Sequence, residues 1–225
     1  MNYICALFQH NMADQLFEQL AFEPNAMFEK IIEDLMDRQY SVVPNFMSQS
    51  DIERLREELL DAYEKDIFQK AAIGNKFNEQ IVTEVRGDFI LWLDQHSGRY
   101  AAKYFLERID ELVAYLNRTC FLGIVIREFH YAVYPKGSFY QRHLDAFQND
   151  DRRRLSVILY LNAADWKAQD GGELVIYPNE SKEHAEIKVH PWGGQLVIFE
   201  SQLIEHEVLP ARRERLSITG WLKTR

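Results

Sequence analysis

The stretch Gln141-Arg142-His143-Leu144-Asp145 places an imidazole and a carboxylate two residues apart in a segment that is predicted to be a β-strand. Side chains two apart on a strand point to the same side, so His143 and Asp145 are expected to be neighbours. A His-x-Asp pair alone is a weak signal of a metal site. His206, on a later predicted strand, adds a second imidazole. Two imidazoles and one carboxylate form the facial set that binds non-heme Fe(II) and leaves coordination positions open.

The region around this stretch, from Ile124 onward, consists of short runs rich in Val, Ile, Tyr and Phe, separated by turn signals such as Pro135-Lys136-Gly137 and Gly171-Gly172. Eight strands are predicted, near residues 124–134, 139–145, 154–161, 173–177, 186–190, 195–199, 204–209 and 214–222. This cadence is typical of a β-sandwich or jelly roll. We therefore predict an α+β, mainly β fold, a double-stranded β-helix (jelly roll) with helices packed on one sheet.

Amphipathic helical patterns dominate the N-terminal half. Residues 1–39 are predicted to form a helical extension, and residues 40–225 the main domain, with helical support over 50–118 and the jelly-roll core over 124–222. Ser50-Asp51-Ile52-Glu53 predicts a capping box for a helix that runs to about Ile67. A strand is expected at 81–85. A further helix is predicted over 99–118, and its expected buried stripe is Tyr104, Ile109, Leu112, Val113 and Leu116.

The composition restricts the partners and the compartment. With 225 residues, 47% of them hydrophobic, the chain can form one compact unit with a substantial core. The formal net charge of -9 argues against binding to nucleic acid or to an anionic membrane. Two cysteines, Cys5 and Cys120, are too few for a disulfide framework, which favours a reducing cytoplasm. No signal sequence or membrane-spanning stretch is found, so a soluble, unexported protein is expected.

An arginine and a tyrosine are expected to enter the same cavity as the metal. One face of the third predicted strand carries Ser156, Ile158 and Tyr160, and one face of the last carries Arg215, Ser217, Thr219 and Trp221. An arginine inside a small barrel must be paired, because a buried unpaired guanidinium is too costly. No acid lies on its own strand face, so the natural partner of Arg215 is a ligand carboxylate, to which Tyr160 can add a hydrogen bond.

With these residues the sequence resembles a 2-oxoglutarate- and Fe(II)-dependent dioxygenase. His143, Asp145 and His206 match the metal triad of that family, and Arg215, nine residues after His206, matches the arginine that binds the cofactor carboxylate. The resemblance extends over about residues 40–222 to the prolyl 4-hydroxylase branch, the hypoxia-type or SM-20-like enzymes. The motifs that carry it are Arg86-Gly87-Asp88-x-Ile90-x-Trp92, Tyr134-Pro135, Tyr160-Leu161-Asn162, Gly171-Gly172 and Thr219-x-Trp221.

The resemblance implies the cofactors and the reaction. Fe(II), 2-oxoglutarate and dioxygen would be used, with ascorbate as a reductant, and 2-oxoglutarate would be converted to succinate as a C–H bond is hydroxylated. It implies that Tyr134 faces the iron and cofactor site and that Tyr160 contacts the distal carboxylate of 2-oxoglutarate. Ser217 and Thr219 are expected to line the same cofactor site.

The resemblance also implies a substrate side of the site. The segment from Arg86 to Asp88 would border the prolyl substrate and be tethered to an arginine after the metal-binding strand. Arg153 is the best candidate for that arginine, with Arg152 and Arg154 as alternatives. Trp221 is a further candidate substrate residue, although Trp221, Trp92 and Trp192 are more simply core residues. His130 and His190 are backup metal ligands, and the remaining histidines are expected to be structural or exposed.

The expected substrate is a proline in an exposed protein loop, and the resemblance to bacterial members suggests a translation factor, elongation factor Tu. Two alternatives remain open from the sequence. The same iron core could hydroxylate a small molecule such as free proline, or the jelly roll could be a non-catalytic sensor of iron and 2-oxoglutarate. The oligomeric state is not readable from the sequence.

Overall fold

The computed structural model describes residues 23–71, 86–94, 98–146, 152–178 and 186–225. Within these residues lie three helices, α1 (Ala26–Arg38), α2 (Gln49–Glu64) and α3 (Tyr100–Cys120), and a short 3-10 turn spans Ala168–Asp170. The strands are β1 (Tyr40–Val43), β2 (Gln69–Lys70), β3 (Phe89–Trp92), β4 (Ile126–Tyr134), β5 (Tyr140–His143), β6 (Arg153–Tyr160), β7 (Leu174–Tyr177), β8 (Ile187–Val189), β9 (Leu196–Glu200), β10 (Glu205–Val208) and β11 (Arg215–Lys223).

The strands of the described residues form two antiparallel sheets. The larger sheet has seven strands in the order β1-β9-β6-β11-β4-β3-β2, and the smaller sheet has four in the order β5-β10-β7-β8. All eight strands predicted from the sequence are present, and β1, β2 and β3 extend the larger sheet at its edges. The jelly-roll prediction is therefore confirmed. The predicted strand 81–85 lies outside the described residues.

Alternation along the strands divides the apolar residues between two cores. On β6, Val157 and Leu159 contact the helices, while Ile158 and Tyr160 face the smaller sheet. Phe199 on β9 and Ile176 on β7 join this second core. Each fully buried side chain of this kind contributes about 1.5–3 kcal/mol of hydrophobic stabilisation. The helices therefore cover one face of the larger sheet, as predicted, and the other face encloses the space between the sheets.

Two details of the helices, one N-cap and one buried residue, differ from the predictions, and the local chemistry explains both. The N-cap of α2 is Ser48, whose Oγ accepts a hydrogen bond from the Asp51 backbone N–H at 3.2 Å, so the predicted cap at Ser50 is wrong. In α3 the expected burial of Tyr104 is also wrong, because it is 45% exposed. The buried stripe follows spacings of three and four residues through Phe105, Ile109, Leu112 and Leu116, which leaves Tyr104 on the solvent side.

The predicted N-terminal extension is partly described. Residues 1–22 lie outside the described residues, and α1 packs Phe28 and Ile31 into the core shared by α2 and α3. The buried Asp34 of α1 accepts a hydrogen bond from Ser41 of β1 at 2.8 Å, which fastens the helix to the edge of the larger sheet. The boundary at residue 39 stays a prediction.

Among the described helices, none combines the length and the apolar character needed to cross a membrane.

Candidate metal and cofactor site

The three predicted metal ligands come together between the two sheets. One ligand atom each from His143, Asp145 and His206 lies within 4.8 Å of the others. The Asp145 carboxylate has His143 Nε2 at 3.6 Å from Oδ1 and His206 Nε2 at 3.7 Å from Oδ2. His206 is buried, and His143 is partly buried. Two ring nitrogens and a carboxylate converging on one point is the donor set expected for a non-heme iron that keeps open positions.

Pairing of β5 with β10 aligns the two histidines, and a bend adds the aspartate. His143 pairs directly with His206, while Tyr140 pairs with Val208, so β5 carries an irregularity between these two pairs. Such a bulge re-aims side chains, and here Tyr140 stacks on His143 with ring centroids 3.7 Å apart. The sequence suggested that Asp145 reaches the site because it alternates with His143 on one strand. This is wrong, because the strand ends at His143. Asp145 lies in the bend that follows the strand.

Each ligand side chain is oriented by a second contact. His143 Nδ1 lies 2.7 Å from the backbone oxygen of Gln141, and His206 Nδ1 lies 3.2 Å from that of Ile204. A carbonyl oxygen only accepts, so Nδ1 must be the protonated nitrogen on both rings and Nε2 keeps its lone pair for a metal. Ser156 Oγ donates to Asp145 Oδ2 at 2.6 Å. These contacts fix the tautomers and the carboxylate before any ion binds.

The protonation states also suit a metal site. Burial lowers the pKa of His206 to about 4, so its ring is neutral at pH 7. Burial alone would raise the pKa of Asp145, but the nearby His206 and His143 hold it well below its usual range. A neutral imidazole and an ionised carboxylate are the forms that bind a divalent cation.

Arg215 lies in the same inter-sheet space with part of its guanidinium unpaired. It is 1% exposed, and its Nε donates to the Gly172 carbonyl at 2.9 Å. Nη2 is buried without a hydrogen-bond partner, and among the described residues no Asp or Glu forms an ion pair with Arg215. The guanidinium carbon is 5.0 Å from the ring centroids of both Tyr134 and Tyr160. This environment matches the prediction that the partner of Arg215 is a ligand carboxylate.

The other predicted cofactor residues surround this arginine. Tyr160 is fully buried, and its hydroxyl has no hydrogen-bond partner. Tyr134 is buried directly opposite Arg215 in the β4–β11 ladder. On β11, Ser217 Oγ and Thr219 Oγ1 are 3.4 Å apart on the same face as Arg215. An unpaired guanidinium nitrogen beside an unpaired phenol fits one carboxylate group, so the residues present fit a dicarboxylate such as 2-oxoglutarate.

Comparison with known proteins agrees with this geometry. Residues 129–223 match the 2OG-Fe(II) oxygenase superfamily. A prolyl-4-hydroxylase from Pseudomonas putida is 36% identical, with a TM-score of 0.79, and the match covers 88% of this chain and all of that one. The chain belongs to the 2OG-Fe(II) oxygenase superfamily, in its prolyl hydroxylase branch. Iron and 2-oxoglutarate, the cofactors of this superfamily, are therefore the groups that the triad and Arg215 would bind.

Three further proteins are also similar to this chain. A prolyl hydroxylase from Trichoplax adhaerens, solved in complex with a peptide fragment of the hypoxia inducible factor oxygen degradation domain, is 31% identical with a TM-score of 0.78, covering 88% of this chain and 89% of that one. The hypoxia-inducible factor prolyl hydroxylase of Caenorhabditis elegans is 29% identical over 86% of this chain. The chain spans only 28% of that protein and 42% of human Egl nine homolog 1, which is also 29% identical.

The substrate side of this oxygenase site differs from the expectation. Asp88 was expected to pair with Arg153 or a neighbouring arginine, but its carboxylate binds Arg86, through Nε at 2.7 Å and Nη2 at 2.6 Å. Because Arg86 is two residues away on an extended segment, both side chains project to the same side, and Asp88 is fully engaged. Arg86 also lies over Tyr140, 4.4 Å from its ring centroid, and thereby extends the stack on His143.

Arg153 makes other contacts at the partly exposed edge of the site, which we call the rim. Its Nη1 donates to the Asp145 backbone oxygen at 2.8 Å, and its guanidinium carbon lies 3.6 Å from the ring centroid of Trp221. The simple view of the tryptophans as core residues is wrong for Trp92 and Trp192, which are about half exposed. His130 and His190 are not part of the ligand cluster.

Four residues that position the site were not among the predicted site residues. Tyr140 and Ser156 hold His143 and Asp145, as described above. Asn162 accepts from the Leu216 backbone N–H at 2.8 Å and so fixes the strand beside Arg215. Gly172 has φ +74°, and a Cβ there would come 3.1 Å from Arg215 Cδ. Asn162 and Gly172 lie in the motifs Tyr160-Leu161-Asn162 and Gly171-Gly172, which drew attention to both residues. The motifs did not show that they contact Leu216 and Arg215.

Proposed function

We propose that this chain hydroxylates a proline residue of a protein, using Fe(II), 2-oxoglutarate and dioxygen. The observation that carries the proposal is the triad of His143, Asp145 and His206 in the same inter-sheet space as Arg215, whose Nη2 is buried and unpaired. A structural role alone would not require a guanidinium without a full set of partners, because such a group is costly to bury. Iron and a dicarboxylate together account for both features.

The chain's own residues have separate tasks in this proposal. Nε2 of both histidines and the Asp145 carboxylate would bind Fe(II), and three protein ligands leave coordination positions open. Arg215 and Tyr160 would bind the far carboxylate of 2-oxoglutarate, with Tyr134, Ser217 and Thr219 beside them. When bound, Fe(II) and 2-oxoglutarate supply the activation of dioxygen, in which 2-oxoglutarate becomes succinate and carbon dioxide and the substrate C–H becomes C–OH.

The shape of the rim supports a chain-like substrate. Trp92 and Trp221 lie next to each other, with ring centroids 6.3 Å apart, and Arg153 stacks on Trp221. Large apolar rings beside a cation suit an extended peptide better than a small, highly polar metabolite. The proteins named above as prolyl hydroxylases, one of them solved with a peptide, support the same choice.

The finer parts of the proposal concern the target and the conditions. The substrate we propose is elongation factor Tu in the cytoplasm, with ascorbate as the reductant that keeps iron ferrous. The support is the resemblance to bacterial members of the branch, together with the acidic charge and the low cysteine content. The test is the mass of elongation factor Tu purified from cells with and without this chain. One extra oxygen on a proline only in cells that contain the chain is expected, and identical masses would refute this target.

The activity itself is tested with purified protein, loaded anaerobically with Fe(II) and 2-oxoglutarate and then exposed to oxygen. The probes are short synthetic peptides with one central proline and varied flanks, and free L-proline in parallel. Hydroxyproline in a peptide together with succinate supports the proposal. Hydroxylation of free proline alone would make the chain a small-molecule hydroxylase, and the absence of any product with both cofactors bound would make it a sensor. Asp145→Ala is the control and should form no product.

A further inference from the structure

His130 is a buried polar side chain on the wall of the inter-sheet space that the metal and cofactor assignments do not use. Its neighbours on β4, Phe129 and Tyr131, point to the helices, so His130 points the other way, as Ala132 and Tyr134 do. It is 3% exposed, and its Nδ1 has no hydrogen-bond partner. A buried polar atom of this kind costs about 1–3 kcal/mol if it stays unpaired, so it calls for an explanation.

His130 belongs to a group of four neighbouring side chains at the rim, which we call the rim row: Trp92, His130, Trp221 and Arg153. The His130 ring centroid is 5.0 Å from that of Trp92 and 5.7 Å from that of Trp221. Arg153 lies over the Trp221 ring and donates to the backbone oxygen of Asp145. The rim row therefore extends from the metal-binding segment to Trp92, which is 49% exposed.

A second polar group in the rim row is also unpaired. The indole Nε1 of Trp221 is buried without a hydrogen-bond partner. Burial lowers the pKa of His130 to about 3, so its imidazole is neutral at pH 7 and has one nitrogen that accepts. The indole N–H only donates. The two side chains thus offer one acceptor and one donor side by side, which is the complement of a peptide group with its N–H and C=O.

We propose that His130 and Trp221 together bind a main-chain peptide group of the substrate next to the proline that is hydroxylated. The ring nitrogen of His130 accepts from the peptide N–H, and Trp221 Nε1 donates to the peptide oxygen. The inference rests on the proposed function and deepens it, because it makes the rim row a reader of polypeptide backbone. Free proline has no peptide group and leaves both side chains unpaired.

The inference also explains why a histidine packs against both tryptophans. An apolar side chain would pack against the two indole rings equally well, and it would avoid the cost of an unpaired nitrogen. Trp92 packs against the buried His130, and a hydrogen bond made in such a buried place is stronger than one in water.

The test compares two variants of His130 with the best peptide of the proline library described above. His130→Leu keeps the volume but removes the acceptor, and His130→Gln keeps an acceptor and a donor. We expect the peptide Kd, measured with Fe(II) and 2-oxoglutarate under nitrogen, to rise about tenfold in the leucine variant and to return most of the way in the glutamine variant. The Kd of 2-oxoglutarate should be unchanged in both, and His190→Leu is the matched control that should leave both constants unchanged.

A chemical change in the peptide isolates the hydrogen bond. Replacing single amides beside the proline by esters removes one N–H at a time. One ester should weaken binding to the wild-type chain and weaken it clearly less in His130→Leu, where the partner of the N–H is already gone and only the poorer ester carbonyl facing Trp221 differs. Equal peptide affinity of the leucine variant and the wild type would overturn the inference while leaving the hydroxylase proposal intact. Weakening without rescue by glutamine and without ester coupling would make His130 a packing residue only. If no peptide in the library binds, the protein-substrate proposal and this inference fail together.

Discussion

Replacing Arg215 by Met tests whether the buried guanidinium exists to bind a ligand carboxylate. Methionine is apolar and flexible enough to occupy the space beside Tyr134 and Tyr160. Nε of Arg215 is already bound to the Gly172 carbonyl, so the ligand carboxylate is expected to bind through the two remaining nitrogens, Nη1 and Nη2. Charge-assisted hydrogen bonds contribute about 1.5–3 kcal/mol each, so a loss of about 3 kcal/mol, or on the order of 100-fold in Kd, is expected for 2-oxoglutarate.

The assay is anaerobic calorimetry with 2-oxoglutarate, after saturation with Fe(II). Iron affinity should not change, because the three metal ligands do not contact Arg215 in the structure. The ligand-free variant should be at least as stable to heat as the wild type, since it no longer buries a partly unpaired charge. Arg108→Met, on α3 and in an ion pair with Glu111, is the matched control and should bind 2-oxoglutarate normally. Wild-type affinity in Arg215→Met, or a large loss of stability without ligand, would refute the reasoning.

Three further predictions concern the supports of the site. Ser156→Ala removes the hydrogen bond to Asp145 and should weaken Fe(II) binding about 10-fold or more, measured by anaerobic titration; unchanged affinity would contradict this role. Gly172→Ala should raise the Kd of 2-oxoglutarate, because the new Cβ would press on Arg215 Cδ at a position with φ +74°, and an unaffected Kd would show that the loop yields. Burial, together with the nearby Arg86, lowers the pKa of His130 in the folded chain from 6.5 to about 3. The unfolded chain therefore binds more protons between these two pH values, and the stability of the fold falls as the pH drops below 6.5. Between pH 7 and pH 5 this group should lower the free energy of unfolding by about 2 kcal/mol, and urea unfolding of metal-free His130→Leu should show a correspondingly smaller decrease than the wild type.

The strands and the ligand types could be predicted from the sequence, because both depend on local patterns. Alternation on β6 and β11 assigned Tyr160 and Arg215 to one face and their neighbours to the other, and the structure agrees. The resemblance also assigned roles to His206 and Arg215 from their spacing, and these roles stay predictions. The apolar pattern determines which side of a strand is buried, so inward polar residues can be identified from it.

The contacts among the polar side chains could not be predicted, because they depend on irregular backbone. Asp145 reaches the triad from a bend and not from the strand, and Tyr140 reaches His143 because β5 bulges. Asp88 pairs with Arg86, its neighbour in sequence, although an arginine from another loop was expected. A bulge or a choice between two arginines changes no pattern of hydrophobicity, so sequence periodicity does not report it.

The central claim is that one Fe(II) is bound by His143, Asp145 and His206, and anaerobic titration of the purified chain with Fe(II) tests it most directly. One ion per chain is predicted for the wild type and for His130→Leu and His190→Leu, which change the two histidines outside the cluster. Asp145→Ala and His206→Ala should bind no stoichiometric iron. Iron binding that persists in both of these variants, or that disappears in His130→Leu or His190→Leu, would contradict the assignment.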